Sequence, residues 1–217
     1  MGIYEEPLIL YFVLFFSGTI SSISAAPPEA AGFSIAAELA KMLLYTLPSL
    51  TLIWYLVIRA KSIWIWIVKP GKKDIIACLI TFPCLLITGF VIAFISSYIG
   101  GNTVQVSFQS PGNIIGWVIL SISCLSSAYL EESFFRFYLL TRKEDLNLNA
   151  ASALIVSVVL FSICHIYEGP WGFLNSVISA VILAFLFLRY RSLHGIAIAH
   201  GMYNIAVYVI NSLLIQR

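Results

Sequence analysis

Two adjacent glutamates, Glu131 and Glu132, follow the apolar run SISCLSSAYL and open the segment EESFFR. His165 closes the run VSVVLFSIC, and His200 and Asn204 lie in HGMYN directly after GIAIA. Carboxylates and imidazoles are the side chains that move protons near neutral pH. An asparagine amide donates to a developing oxyanion. Brought together, these groups make a hydrolytic centre: a carboxylate to deprotonate a water, with imidazole and amide groups to hold the water or the oxyanion. Ionisable side chains inside apolar segments are costly and usually functional. Here they cluster in the second half of the chain.

Helical spacing sorts them. Glu132 and Arg136 are four apart, share a face and can neutralise one another. Glu131 points about 100° away, has no such local partner and is free to face a cavity. A carboxyl in low-dielectric surroundings suits proton transfer. His200 and Asn204 are also four apart and project the same way, on a helix thinned by Ala197 and Gly201 for close approach. Phe161, one turn before His165, can wall the same cavity. Each feature also has a structural reading. The Glu–Arg pair serves as a topological lock, a single membrane histidine bonds a backbone carbonyl, and an asparagine bonds a neighbouring helix. Convergence from three segments favours chemistry. A Cys164–His165 dyad is a poor reading, because adjacent helical residues diverge by about 100° and do not face each other.

The elements that must position these groups are membrane helices. Of the 217 residues, 60% are hydrophobic and 10% charged, whereas a soluble domain carries about a quarter charged residues. The excess apolar surface must face lipid. The reading is an all-α, polytopic transmembrane bundle of about seven to eight membrane helices. The stretches are Pro7–Ala25, Met42–Val57, Ile75–Ile99, Ile114–Leu130 (continuing as a helix to Leu140), Ala150–Ile166, Trp171–Leu188 and Leu193–Ile215. The segment Ser62–Val68, with two Trp between Lys61 and Lys69, suits the interface or part of an eighth element. One membrane domain spans 1–217, with N-terminal helices in 1–112 and a catalytic core in 113–217.

Nine of the twelve Lys and Arg fall in alternate loops: Arg59, Lys61, Lys69, Lys72 and Lys73; Arg142 and Lys143; Arg189 and Arg191. Positive loops stay cytoplasmic, so seven helices put the N-terminus inside and the C-terminus outside. The first apolar run follows Glu5 and Glu6 rather than a positive region, so it reads as a retained helix and not a signal peptide. Cys78, Cys84, Cys124 and Cys164 sit in apolar stretches and read as small buried hydrophobes. No basic cluster interleaved with aromatics is present, which argues against nucleic acid as a partner.

The three motifs resemble those of the CPBP family of intramembrane proteases, which includes CAAX prenyl endopeptidases and bacteriocin-processing or Abi-type proteins. EExxxR is Glu131–Arg136, FxxxH is Phe161–His165, and HxxxN is His200–Asn204, in order, within about Gly116 to Asn211. The resemblance implies hydrolysis of a peptide bond in a membrane-associated, prenylated or leader-bearing peptide, at the bilayer of a prokaryotic cell. It implies Glu131 as general base, activating a water together with His165, with His200 and Asn204 binding that water or the oxyanion, and Glu132 as partner of Arg136. Glu131, His165 and His200 also match a zinc site with one open position. The same residues work without metal, and both routes stay open. His194 is read as a loop residue rather than a ligand.

In the simple seven-helix layout His165 falls on the far side from Glu131 and His200. Their meeting requires a tilted or late-starting fifth helix, with Tyr167–Gly172 dipping into the bundle. Two other functions use the same residue types. A proton-coupled transporter uses Glu and His as relays, but shows paired halves with broken helices. A non-catalytic scaffold or immunity protein keeps the fold without turnover.

Overall fold

The computed structural model describes residues 5–16, 33–60, 65–99, 110–143, 146 and 148–215. Their regular structure is entirely helical. We number the helices α1 (Glu5–Tyr11, extended by a π turn over Phe12–Phe16), α2 (Ile35–Arg59), α3 (Lys72–Ile99), α4 (Ile114–Thr141), α5 (Ala150–Ile163), α6 (Gly169–Tyr190) and α7 (Leu193–Ile215).

Five segments are long and apolar enough to cross a membrane: Ile35–Arg59, Lys72–Ile99, Ile114–Thr141, Ile166–Tyr190 and Leu193–Leu213. The outward side chains suit lipid, with Leu44, Leu79, Phe94 and Ile114 among the most exposed. The expected count of seven to eight spans is not reached among the described residues. α5 has 14 residues, about 21 Å at the helical rise, against a hydrocarbon core of roughly 30 Å. Residues 17–25 of the expected Pro7–Ala25 span, the loop around Pro27–Gly32 and most of that around Gly100–Gly112 lie outside the described residues. Ile65–Val68 is a single 3₁₀ turn, and residues 61–64 also lie outside.

Local chemistry sets the helix ends. Ser34, Asn113 and Asn149 cap α2, α4 and α5 by accepting from Ala37, Gly116 and Ser152 N–H, as side-chain oxygens do at N-caps. α2 starts seven residues before the expected Met42, so Glu38 and Lys41 fall inside it. They pair 3.5 Å apart, and Ser123 of α4 donates to Glu38. The α6–α7 corner turns at Arg191 (φ 51, ψ 48), a left-handed residue. Lys73 Nζ donates to its carbonyl at 3.0 Å, while Ser192 donates to Asp74 and accepts from Gly195 N–H. The four cysteines are free thiols.

α4 is the central element. After Glu132 it widens into a π turn over Ser133–Tyr138. Leu139 N–H reaches the Phe134 and Arg136 carbonyls and passes over that of Phe135. Ser157 of α5 donates to the Phe135 carbonyl at 2.7 Å, and Trp54 of α2 donates to Ser133 Oγ at 3.0 Å. The turn is thus satisfied by its neighbours, as backbone at membrane depth must be. α7 lies hard against α4 at Gly201, where an added Cβ would meet Leu125 Cα at 2.9 Å.

Arg136 is fully buried. Its Nη1 bonds Glu132 Oε1 at 3.1 Å, its Nη2 donates to Ala180 O of α6 at 3.3 Å, and its guanidinium lies 4.4 Å from the Phe161 ring centre. α1 is held by Glu6, which accepts from Tyr138 Oη at 2.7 Å and from Arg142 Nη1 at 2.8 Å. Burial pushes the Glu6 carboxyl up, but the hydrogen bonds from Tyr138 and Arg142 outweigh it and hold the carboxyl below its ordinary value.

These contacts have measurable consequences. Arg136→Met leaves Glu132 without its permanent counter-charge and costs about 3–5 kcal/mol; the Glu132→Gln/Arg136→Met pair recovers most of it, read by thermal unfolding in detergent. The Glu6 carboxyl is lower in the folded state than in the unfolded one. Its contribution is therefore present above the ordinary carboxylate range and is lost as pH falls through the folded value. Hydrogen exchange of α1, corrected for intrinsic rate, rises on acidification, and Glu6→Gln shows the raised exchange already at neutral pH.

Candidate active site

The site forms where α4, α5, α6 and α7 meet. Glu132 is completely buried. Its Oε1 accepts from Arg136 Nη1 and, at 2.9 Å, from His200 Nδ1. Because a carboxylate only accepts, Nδ1 carries the proton in this contact. The opposite edge of the ring faces Glu131, with Nε2 3.8 Å from Oε2. That separation is too long for a direct hydrogen bond, and Glu131 Oε2 has no hydrogen-bond partner among the described residues. His200 thus stands between the two glutamates, bonded to one and facing the other. Glu131 keeps 22% of its side chain accessible, whereas Glu132 keeps 0%.

His165 lies in the turn after α5. Its Nδ1 is 2.9 Å from the Phe161 carbonyl, an acceptor, so Nδ1–H donates and Nε2 is the acceptor edge of the neutral ring. The imidazole stacks on the Phe161 ring at 4.6 Å between centroids, and the Tyr167 ring lies 6.4 Å from it. Phe161 also borders His200, at 5.9 Å. One phenyl ring therefore touches both imidazoles and the Arg136 guanidinium. Asn204 lies half-buried one turn beyond His200, on the same face of α7.

The two histidines come to one depth because α5 stops early. The expected helix to Ile166 ends at Ile163, and a 3₁₀ turn, Ile166–Glu168, leads into α6. Gly169, at φ 79, makes the reversal, a conformation open to glycine and strained for other residues. The fifth helix therefore ends early rather than starting late, and the following turn folds into the bundle.

Two residues differ from their sequence reading. His194 is not in a loop; it lies in the first turn of α7. Its Nε2 bonds the Val68 carbonyl at 2.9 Å and its Nδ1 bonds Tyr129 Oη at 3.1 Å. A carbonyl only accepts, so Nε2–H donates there and Tyr129 donates to Nδ1. Both nitrogens are thus used in joining α7 to α4 and to the Ile65–Val68 turn. Glu168, to which the sequence reading gives no role, closes the turn after His165 by donating its N–H to the His165 carbonyl at 3.0 Å. A signal for it exists: it is an acid three residues after the motif histidine. The Gly169–Pro170 pair that follows masks that signal by marking a surface turn. Cys164 turns away toward α1, with Sγ 3.6 Å from Tyr11 Oη.

Glu131, His165 and His200 are donor types suited to a divalent metal. Among the described residues, however, no three His, Cys, Asp or Glu side chains converge as a metal-binding group.

Residues 111–206, which contain all three motifs, match the family model described as Type II CAAX prenyl endopeptidase Rce1-like. No curated protein and no solved structure matches the chain. The motif order in EESFFR, FSICH and HGMYN, the apolar helices that carry it and this match agree: over residues 111–206 the chain is similar to the Rce1-like family of membrane proteases.

Proposed function

We propose that the protein is an intramembrane endopeptidase that cleaves a peptide bond of a membrane-associated substrate, prenylated or leader-bearing, by a water activated at Glu131. The supporting observation is the position of His200, whose Nδ1 is bonded to Glu132 and whose Nε2 faces the unbonded Oε2 of Glu131 at 3.8 Å. A polar contact of that length is one that a water can bridge.

In the proposed reaction the water oxygen attacks the scissile carbonyl carbon. Glu131 takes the water proton, and the carbonyl π electrons move to oxygen. His165, His200 and Asn204 surround the developing oxyanion or the water. The tetrahedral intermediate then collapses, the C–N bond breaks, and Glu131 returns its proton to the leaving amine. Glu132 stays out of the proton transfer and holds His200 in the orientation that presents Nε2. We place the substrate at the bilayer, since the site lies within membrane-crossing helices, and in a prokaryotic membrane, where peptide maturation of this family type serves bacteriocin and leader processing. The metal-assisted alternative would use Glu131, His165 and His200 as ligands.

The test is cleavage of prenylated and leader-bearing peptides in detergent by wild type, Glu131→Ala and His165→Ala. Loss of a proton-transfer group lowers turnover by about 10²–10⁴-fold, and both variants are expected to fall in that range. A chelator leaves the wild-type rate unchanged on the metal-free route; loss restored by zinc supports the metal-assisted one. A fully active Glu131→Ala removes the mechanism. Ion flux dependent on these residues, without cleavage, points to a transporter instead.

A further inference from the structure

We infer that Ser127 is a positioning residue that holds the attacking water against Glu131; the inference rests on the peptidase reading. It starts from an unmet hydrogen bond. Of the serines before Glu131 in α4, Ser121 and Ser126 donate to the Trp117 and Ser123 carbonyls, and Ser123 donates to Glu38. Ser127 Oγ is buried and has no partner among the described residues, and the same holds for Glu131 Oε2. A buried polar atom without a protein partner is ordinarily bonded to ordered water.

The two orphaned atoms share one face. α4 is regular α-helix through Glu132, so residues four apart stand over one another, with Cβ atoms about 5–6 Å apart. Helical side chains lean toward the N-terminal end, which sets the Glu131 carboxyl over the turn that carries Ser127. The packing of α7 demands the same. Gly201 rests against Leu125, where an added Cβ would meet Leu125 Cα at 2.9 Å, so His200 reaches α4 on the N-terminal side of Glu131. The 3.8 Å gap between His200 Nε2 and Glu131 Oε2 therefore opens beside Ser127.

A buried water makes about three hydrogen bonds. In this gap Glu131 Oε2 accepts one and His200 Nε2 supplies a second. A serine hydroxyl rotates to donate or to accept, so Ser127 supplies the third. Where Nε2 accepts, Ser127 donates; where Nε2 donates, Ser127 accepts. In either case the water keeps one lone pair for the scissile carbonyl, and the Asn204 amide is left for the oxyanion. A water oriented before attack meets a lower barrier. Ser127 does this without touching the peptide, so it acts on kcat and not on KM.

Full-length wild type, Ser127→Ala and Ser126→Ala are compared in detergent with one cleavable peptide. Ser127→Ala is expected to lower kcat by about 5- to 50-fold, with KM and unfolding temperature unchanged. That is the worth of one hydrogen bond to the reacting water and less than loss of a proton-transfer group. Ser126→Ala removes a hydroxyl already bonded to a backbone carbonyl and keeps the wild-type kcat. A Ser127→Ala enzyme as fast as wild type overturns the inference and leaves the peptidase reading standing. So does a loss that falls on KM, that is matched by a fall in unfolding temperature or that Ser126→Ala shares. If wild type cleaves no peptide, the reading fails, and infrared spectra decide the inference separately. The Glu131 carboxyl stretch, identified by its loss in Glu131→Gln, is expected to move in Ser127→Ala and to stay in Ser126→Ala. An unmoved stretch in Ser127→Ala overturns the inference.

Discussion

The fold depends on one buried charge. Arg136 is wholly inside the bundle, where an unpaired guanidinium is prohibitively costly, and every group that compensates it comes from a place the bundle must therefore bring close. Glu132 comes from its own helix, the Ala180 carbonyl from α6 and the Phe161 ring from α5. His200 of α7 completes the set by donating to the same Glu132 oxygen. Four helices are thereby tied to one ion pair. The residues at the contact faces are correspondingly small: Ala180 and Ala197 are fully buried, and Gly201 lets α7 lie against Leu125 of α4. In lipid there is little hydrophobic drive between helices, so close packing and polar contacts of this kind hold a bundle together.

The same arrangement divides labour between two adjacent glutamates. Consecutive helical residues point about 100° apart, so one faces the ion pair and the other does not. Glu132 Oε1 accepts from two donors, whereas the Oε2 atoms of Glu132 and Glu131 alike have none among the described residues; the two glutamates differ in burial, 0% against 22% of the side chain accessible. Groups of one chemical type in unlike environments are what separate a supporting carboxylate from a reactive one. In the proposed reaction Glu132 sets the tautomer and direction of His200, much as a second carboxylate orients a catalytic imidazole elsewhere. That leaves Glu131 as the proton acceptor.

The parts of this site that are legible in the sequence are those fixed within one helix. The Glu132–Arg136 pair, the divergence of Glu131, and the shared face of His200 and Asn204 follow from 3.6 residues per turn. Contacts between helices are not legible, because spacing along one helix carries no information on its rotation against another. Whether His200 bonds Glu132 or Glu131 depends on how α7 is rotated against α4, and the spacing within HGMYN does not carry that. Helix length also escapes. The apolar run from Ala150 continues through Ile166, so hydropathy has no stop at Ile163. The π turn after Glu132 likewise has no period of its own in SFFRFY.

The early end of α5 changes what the Phe161 carbonyl binds. In a helix running on to Ile166 that carbonyl would accept from His165 N–H, whereas here His165 N–H bonds the Ser162 carbonyl instead. Stopping at Ile163 lets the imidazole fold back onto the carbonyl and ring of Phe161, one turn below. Phe161 is already fixed by Arg136, so the ion pair that locates His200 locates His165 too. The two histidines are thereby placed by one buried cation through different intermediaries, a carboxylate for one and a phenyl ring for the other. Compensating that cation with Glu132 and Phe161 thus brings His200 and His165 to neighbouring positions.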